Sequence, residues 1–334
     1  MKQIFSIGAR ILPAAALLAA AAVCAWAQAP QISSPPADPA GRGSVLVELF
    51  TSEGCPHCPE ADAMLEKLYT DQSVEGARIV ALEEHVDYWD RPSWVDHYSS
   101  PTFTQRQQGY ADAMDLDSLY TPQMVVNGLV EFVGNNAPRA RSTISALGRA
   151  PLPAVRIVLA AAGADRKLAP GARRVRLEAR DLPHESASDV YLVLAEDKLF
   201  SRVNGGRNAG ESWPHSSIAH RLYLVGKMPA GSKEISLIAE IEPPEAAWRV
   251  ENLRLVAFVQ EQETRRVLAL GTVRLADLSP QASGGAWPAA RPGAPHAAGV
   301  VPKLAARSSN AVQWAASGSA PRVPAGFPEG GSRP

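Results

Sequence analysis

Cysteine is scarce in this chain: 334 residues carry three, Cys24, Cys55 and Cys58. Two cysteines three positions apart cannot staple distant loops, because a bridge across so short a loop removes little chain entropy. Beyond residue 27 no apolar run approaches the roughly 20 residues a membrane helix needs, which excludes a span in the processed chain. There is no basic excess, with 33 Lys and Arg against 34 Asp and Glu, so the electrostatic footprint of a nucleic-acid partner is missing. A Gly-rich phosphate loop, an HExxH helix and a G-x-S-x-G elbow are all absent, which removes the common nucleotide, zinc-protease and serine-hydrolase signatures.

What is present begins with an export signal. Lys2 and Arg10 precede an Ala/Leu-rich core from Ile11 to Val23, and Ala25-Trp26-Ala27 fits the small-x-small cleavage rule. Cleavage near Ala27 implies a periplasmic or secreted protein. It also removes Cys24, so that Cys55 and Cys58 are the only thiols left. The processed chain holds 31 basic and 34 acidic residues, a net charge of −3, and its length suits about two domains.

Residues 28–43 read as a flexible lead-in rich in Pro, Ser, Ala and Gly. From 44 to 150 the pattern is β-α-β, a polar helical insertion over 92–116, then a hairpin and a helix. Asn127-Gly128 is a strong two-residue turn signal between Gln123–Val126 and Leu129–Val133. From 151 to 278 seven short strands follow with turn signals between them, which predicts an antiparallel, sandwich-like all-β domain. Residues 279–334 hold nine prolines, eight glycines and one acid, Glu329; this composition predicts a disordered tail, although a shifted reading frame in a GC-rich gene gives a similar one.

Cys55-Pro56-His57-Cys58 lies where the first strand passes into the first helix. Thiol–disulfide exchange needs a thiolate, and a helix N-terminus lowers a thiol's pKa through its unpaired N–H groups and dipole. Cys58, one turn on, is placed to resolve a mixed disulfide, and His57 adds charge or a hydrogen bond that favours the thiolate. Pro59 removes one N–H from the helix's first turn. The alternative chemistry is soft-metal binding, with Cys55, Cys58 and His85 as copper ligands. His85 and Asp87 lie at the carboxyl end of the second strand, the edge where open α/β sheets place ligands; a simple capped turn explains them equally well.

With these residues in place the chain resembles the thioredoxin superfamily, and its CPHC matches the motif of DsbA-type periplasmic oxidants. The resemblance implies that Pro122 in Tyr120-Thr121-Pro122-Gln123 is cis, and that the Thr121 backbone pairs with an incoming cysteine peptide. It also implies that Glu48, in the strand before the motif, assists proton transfer from Cys58. A narrower resemblance, carried by Val47 to Cys55, His85 to Asp90, Phe103 to Gln107 and Tyr120 to Gly128, covers about 45 to 275. It points to a secreted, thioredoxin-like bacterial family of unknown function. That family's second-domain pattern is matched by Gly206-Arg207-Asn208-Ala209-Gly210 and His215, with His220 standing where Arg is expected; Asn208 and His215 are therefore accessory candidates. The resulting expectation is a thioredoxin-like α/β domain followed by an all-β domain. Its function would be thiol–disulfide exchange with cysteine-containing clients or a redox partner protein, with no cofactor beyond the Cys55–Cys58 disulfide; a binding module with a vestigial dithiol is a further alternative.

Overall fold

The computed structural model describes residues 42–160, 168, 170–182 and 185–278. The signal segment, nearly all of the lead-in and the Pro/Gly-rich tail lie outside the described residues.

The chain runs β1 (Gly43–Thr51), α1 (Cys58–Asp71), β2 (Ala77–His85), α2 (Pro101–Met114), β3 (Gln123–Val126), β4 (Val130–Val133) and α3 (Ala137–Gly148). Then come β5 (Arg156–Leu159), β6 (Arg173–Ala179), β7 (Ser188–Glu196), β8 (Leu199–Arg202), β9 (Ser212–His215), β10 (Ile218–Met228), β11 (Ile235–Ile241), β12 (Leu253–Glu261) and β13 (Val267–Arg274). This is the expected α/β thioredoxin-like unit followed by a mostly antiparallel β region. Of the insertion only α2 is helical; residues 90–100 form an irregular strap before it. The short β8–β9 hairpin was not among the expected strands.

β1 is the axis of the first half, parallel to β2 and antiparallel to β3. Side chains alternate across a strand, so Val45, Val47 and Leu49 pack under α1 and α3 with Leu65, Leu68 and Ile144. Leu46 turns the other way, toward Phe103, Tyr191 and Phe258. Asn127 and Gly128 have φ of 50° and 65°, the backbone a type I′ hairpin demands. A Cβ on Gly128 would lie 1.9 Å from the Arg265 carbonyl oxygen, so glycine is required there by contact as well as by conformation.

The β region forms the expected two layers. β11-β6-β5 packs through Val175, Leu177 and Ile235 onto Leu192, Leu194, Leu253 and Leu255 of the larger layer. That larger layer is not a separate sheet. The order β13-β12-β7-β10-β2-β1-β3-β4 is continuous, joined where β10 runs parallel to β2 at Ile218 and Glu83.

On the α2 face the sheet buries charge. Arg106 Nε donates to Glu48 Oε1 at 2.6 Å, Tyr110 donates its hydroxyl to the other Glu48 oxygen, and Arg106 Nη1 reaches Gln260 Oε1 at 3.2 Å. Glu84 lies 3.3 Å from Arg106 Nε; burial, then the Glu48 charge, push its carboxyl well above the usual range. One guanidinium thus serves two buried acids. Removing one partner of a buried ion pair costs about 3–5 kcal/mol. Arg106→Met is therefore expected to lose about that much stability in urea unfolding, and a loss below about 1 kcal/mol would show that the network contributes little.

Candidate functional site

The Cys55–Cys58 disulfide is formed, with Cα atoms 5.4 Å apart. α1 opens at Cys58 with His57 as its N-cap, so Cys55 sits in the turn before the helix rather than in its first turn; the Cys55 carbonyl accepts from the Cys58 N–H at 3.3 Å. His57 is exposed and makes no side-chain cap bond. Both cysteines are covered, at 1% and 0% exposure.

Two segments reach the turn that carries the disulfide. One is the Thr121–Pro122 peptide, cis as the resemblance implies, which is linked to that turn through Trp89. Trp89 Nε1 donates to Thr121 Oγ1 at 2.7 Å, and the Trp89 backbone and Cβ lie against Gly54. The other is the loop between β8 and β9. Asn208 Nδ2 donates to the Glu53 carbonyl at 2.8 Å and to the Cys55 carbonyl at 2.9 Å. The Gly-x-Asn-Ala-Gly loop of the second half therefore contacts the motif directly. His220, by contrast, stacks on Trp248 and bonds Glu196, while Asp87 exchanges hydrogen bonds with Thr104 of α2; neither joins the dithiol.

Glu48 is a correction. It shares its face of β1 with Arg106 and Tyr110, which occupy both its oxygens, whereas α1 packs on the opposite face through Val47 and Leu49. The acid on the dithiol's side is Asp62, one helical turn after Cys58 and completely buried. It accepts from Thr51 Oγ1 at 2.6 Å and from Trp213 Nε1 at 3.1 Å. Burial first, then the charge of Glu83, push its carboxyl up to about 7, while His215, His85 and the Thr51 bond pull it down. The i, i+4 spacing of Cys58 and Asp62 was a readable signal for this residue. Trp213 could not be read, because β9 comes from far along the chain.

His85 lies on the same face of the sheet as α1, but its ring is engaged elsewhere. Its Nδ1 lies 2.7 Å from Asp96 Oδ2, and its ring is 5.2 Å from that of His215. His215 Nδ1 lies 2.7 Å from Glu83 Oε2, and its Nε2 lies 2.8 Å from Ser201 Oγ. Ser201 donates to Glu53, whose other oxygen accepts from Trp94 Nε1 at 3.0 Å. The Glu53 carboxylate is thus occupied within this network. The copper ligand set of Cys55, Cys58 and His85 is not assembled in this oxidised state, in which the sulfurs are bonded to each other and His85 Nδ1 is held by Asp96. Among the described residues, Glu83, His85 and His215 each place one potential ligand atom within 4.8 Å of the others'.

Known proteins share parts of this architecture. A thioredoxin of Methanocaldococcus jannaschii is 27% identical over 103 residues, 31% of this chain and 92% of the relative. A structural-genomics crystal structure of an Agrobacterium tumefaciens protein superposes with a TM-score of 0.50 at 23% identity, covering 69% of this chain and 92% of that one. HBP35 of Porphyromonas gingivalis superposes with a TM-score of 0.49 at 14% identity, covering 75% and 81%. The model of a family described as protein of unknown function (DUF1223) matches residues 46–260, and the chain belongs to that family.

Proposed function

We propose that this protein is an exported thiol–disulfide oxidoreductase that uses its CPHC motif, of the DsbA type, on protein or small-thiol substrates. The observation that carries this reading is the Cys55–Cys58 disulfide at a strand-to-helix junction. The signal read in residues 1–27 supports a periplasmic or secreted location, where disulfides persist. Domains over 44–150, with the insertion at 92–116, and over 151–278 remain the working division, the second supplying the loop that contacts the motif.

A client thiolate attacks Cys55 Sγ, the Cys55–Cys58 bond breaks, and Cys58 leaves as the thiolate. Asp62 then gives it a proton. A second client thiol attacks the client sulfur of the mixed disulfide, releases Cys55 as the thiol, and leaves the client oxidised by two electrons. A redox partner protein re-forms the Cys55–Cys58 bond, and the reverse sequence reduces a client. Thr121 aligns the client backbone beside Pro122, and His57 tunes Cys55 from the surface.

Trapping tests this reading. Cys58→Ser is expected to accumulate a mixed disulfide through Cys55 when offered a disulfide-bonded peptide, one peptide sulfur leaving as the thiol, and Cys55→Ser to accumulate none. Silence from both variants would leave the disulfide purely structural.

Asp62 must be deprotonated to take the Cys58 proton when Cys58 attacks a mixed disulfide. The rate of that step is therefore expected to rise as pH climbs through about 7. Asp62→Asn is expected to slow it at least about tenfold, as removal of a general base does, and to abolish the rise. An unchanged profile in stopped-flow quenching would remove Asp62 from the mechanism.

Asn208→Ala, by releasing the loop from the Cys55 carbonyl, is expected to speed reduction of the disulfide by a small thiol several-fold. An unchanged rate would mean that the loop does not limit access.

A further inference from the structure

Three buried acceptor atoms converge behind the disulfide. Glu83 and His85 end β2 and His215 ends β9, and all three are at most 1% exposed. The tautomers follow from the partners. Asp96 Oδ2 already accepts the Glu53 N–H at 2.8 Å, so His85 Nδ1 carries the hydrogen it directs at that oxygen. His85 Nε2 is left buried with no hydrogen-bond partner, 4.0 Å from Glu83 Oε2. Ser201 spends its hydrogen on Glu53, so His215 Nε2 is the donor in its 2.8 Å contact with Ser201. In the neutral ring the lone pair on His215 Nδ1 then faces Glu83 Oε2 at 2.7 Å, a contact that needs a proton or a cation between the two atoms. Glu83 Oε1 is occupied by the Ser216 N–H at 3.0 Å and by the Ser216 hydroxyl.

Three lone pairs pointed at one another are repulsive unless something positive lies between them. We propose that Glu83, His85 and His215 form a divalent-cation site, for which zinc is the best fit. Two imidazoles and a carboxylate suit zinc, whereas copper(I) prefers the thiolates this site lacks. Each ligand also has the outer partner that metal sites use to hold orientation and tautomer: Asp96 on His85, Ser201 and then Glu53 on His215, and Ser216 on Glu83. Ligand edges of 2.7 and 4.0 Å bracket the ~3.4 Å that tetrahedral bonds of about 2.1 Å require. A surface cavity of about 810 Å³, lined in part by Tyr69, Arg254, His215 and Ser216, approaches the cluster from the side away from the motif. The rival occupant is protons: Asp96 and Glu83 raise the His85 pKa well above its ordinary value against the effect of burial. The site does not depend on the redox reading, because it uses neither sulfur.

The test uses the mature, untagged chain with its disulfide oxidised, stripped with a chelator and titrated with Zn²⁺ against a chromophoric competitor. One zinc per chain is expected, together with a rise in Tm, and Co²⁺ in its place should give d–d bands without thiolate charge transfer. His85→Ala and His215→Ala should each weaken binding at least tenfold, and the Cys55→Ser/Cys58→Ser double variant should bind as the wild type does. If the histidine variants fail to fold, the stoichiometry and Co²⁺ spectrum of the oxidised wild type decide. Absence of saturable binding by that protein would assign the gap to protons and overturn the proposal. Binding lost in the cysteine variant, or a thiolate band with Co²⁺, would also overturn it.

Discussion

The join between β2 and β10 is the constraint on which the rest depends. The Glu83 N–H donates to the Ser217 carbonyl at 2.9 Å, and the Ser217 hydroxyl donates to the Ala81 carbonyl at 2.6 Å. Arg254 Nη2 donates to the same Ala81 carbonyl at 2.7 Å. Because strand pairing fixes register, this short contact sets where the β8–β9 hairpin, which immediately precedes β10, comes down on the first half. It brings Trp213 to Asp62, His215 to Glu83 and Asn208 to Cys55. Without the join the CPHC turn would lose its contact with Asn208.

The same sheet sorts its buried charge by face. Successive residues point to opposite sides of a strand, so Glu48 and Glu84 meet Arg106 on the α2 side. Glu83 and His85 alternate with Glu84 and meet His215 and Asp96 on the other. Each face has its own internal pairing, as buried charge requires. Asp62 lies on the dithiol's side, where burial and nearby Glu83 keep its proton loosely held near neutrality. A group in that condition can both give and accept a proton at the thiol.

Local features of this chain were legible in the sequence. The β1–CPHC–α1 order, the Asn127-Gly128 turn and seven of the later strands follow from short-range patterns and match the structure, while the cis Thr121–Pro122 bond was expected from the family resemblance alone. The assembly of the site was not legible. Glu48 suggested itself as the acid because it lies in the strand before the motif, yet strand parity sends it to Arg106. Asp62 was overlooked although it stands one turn after Cys58. Trp213, Ser201 and the Asn208 clamp arrive through β8 and β9, two four-residue strands too short for periodicity to reveal. Their positions are set by a pairing more than a hundred residues away from the motif, and no local propensity encodes that distance.

We propose that the Cys55–Cys58 disulfide is a working redox couple and not a structural tie. Equilibration of the mature protein with glutathione buffers, read by thiol alkylation, tests this directly. A working couple is predicted to titrate reversibly as a two-electron pair above about −300 mV, within the span from thioredoxin at about −270 mV to DsbA at about −120 mV. A disulfide that stays closed throughout the glutathione range, with a potential below about −300 mV, would behave as structural disulfides do and would contradict the account.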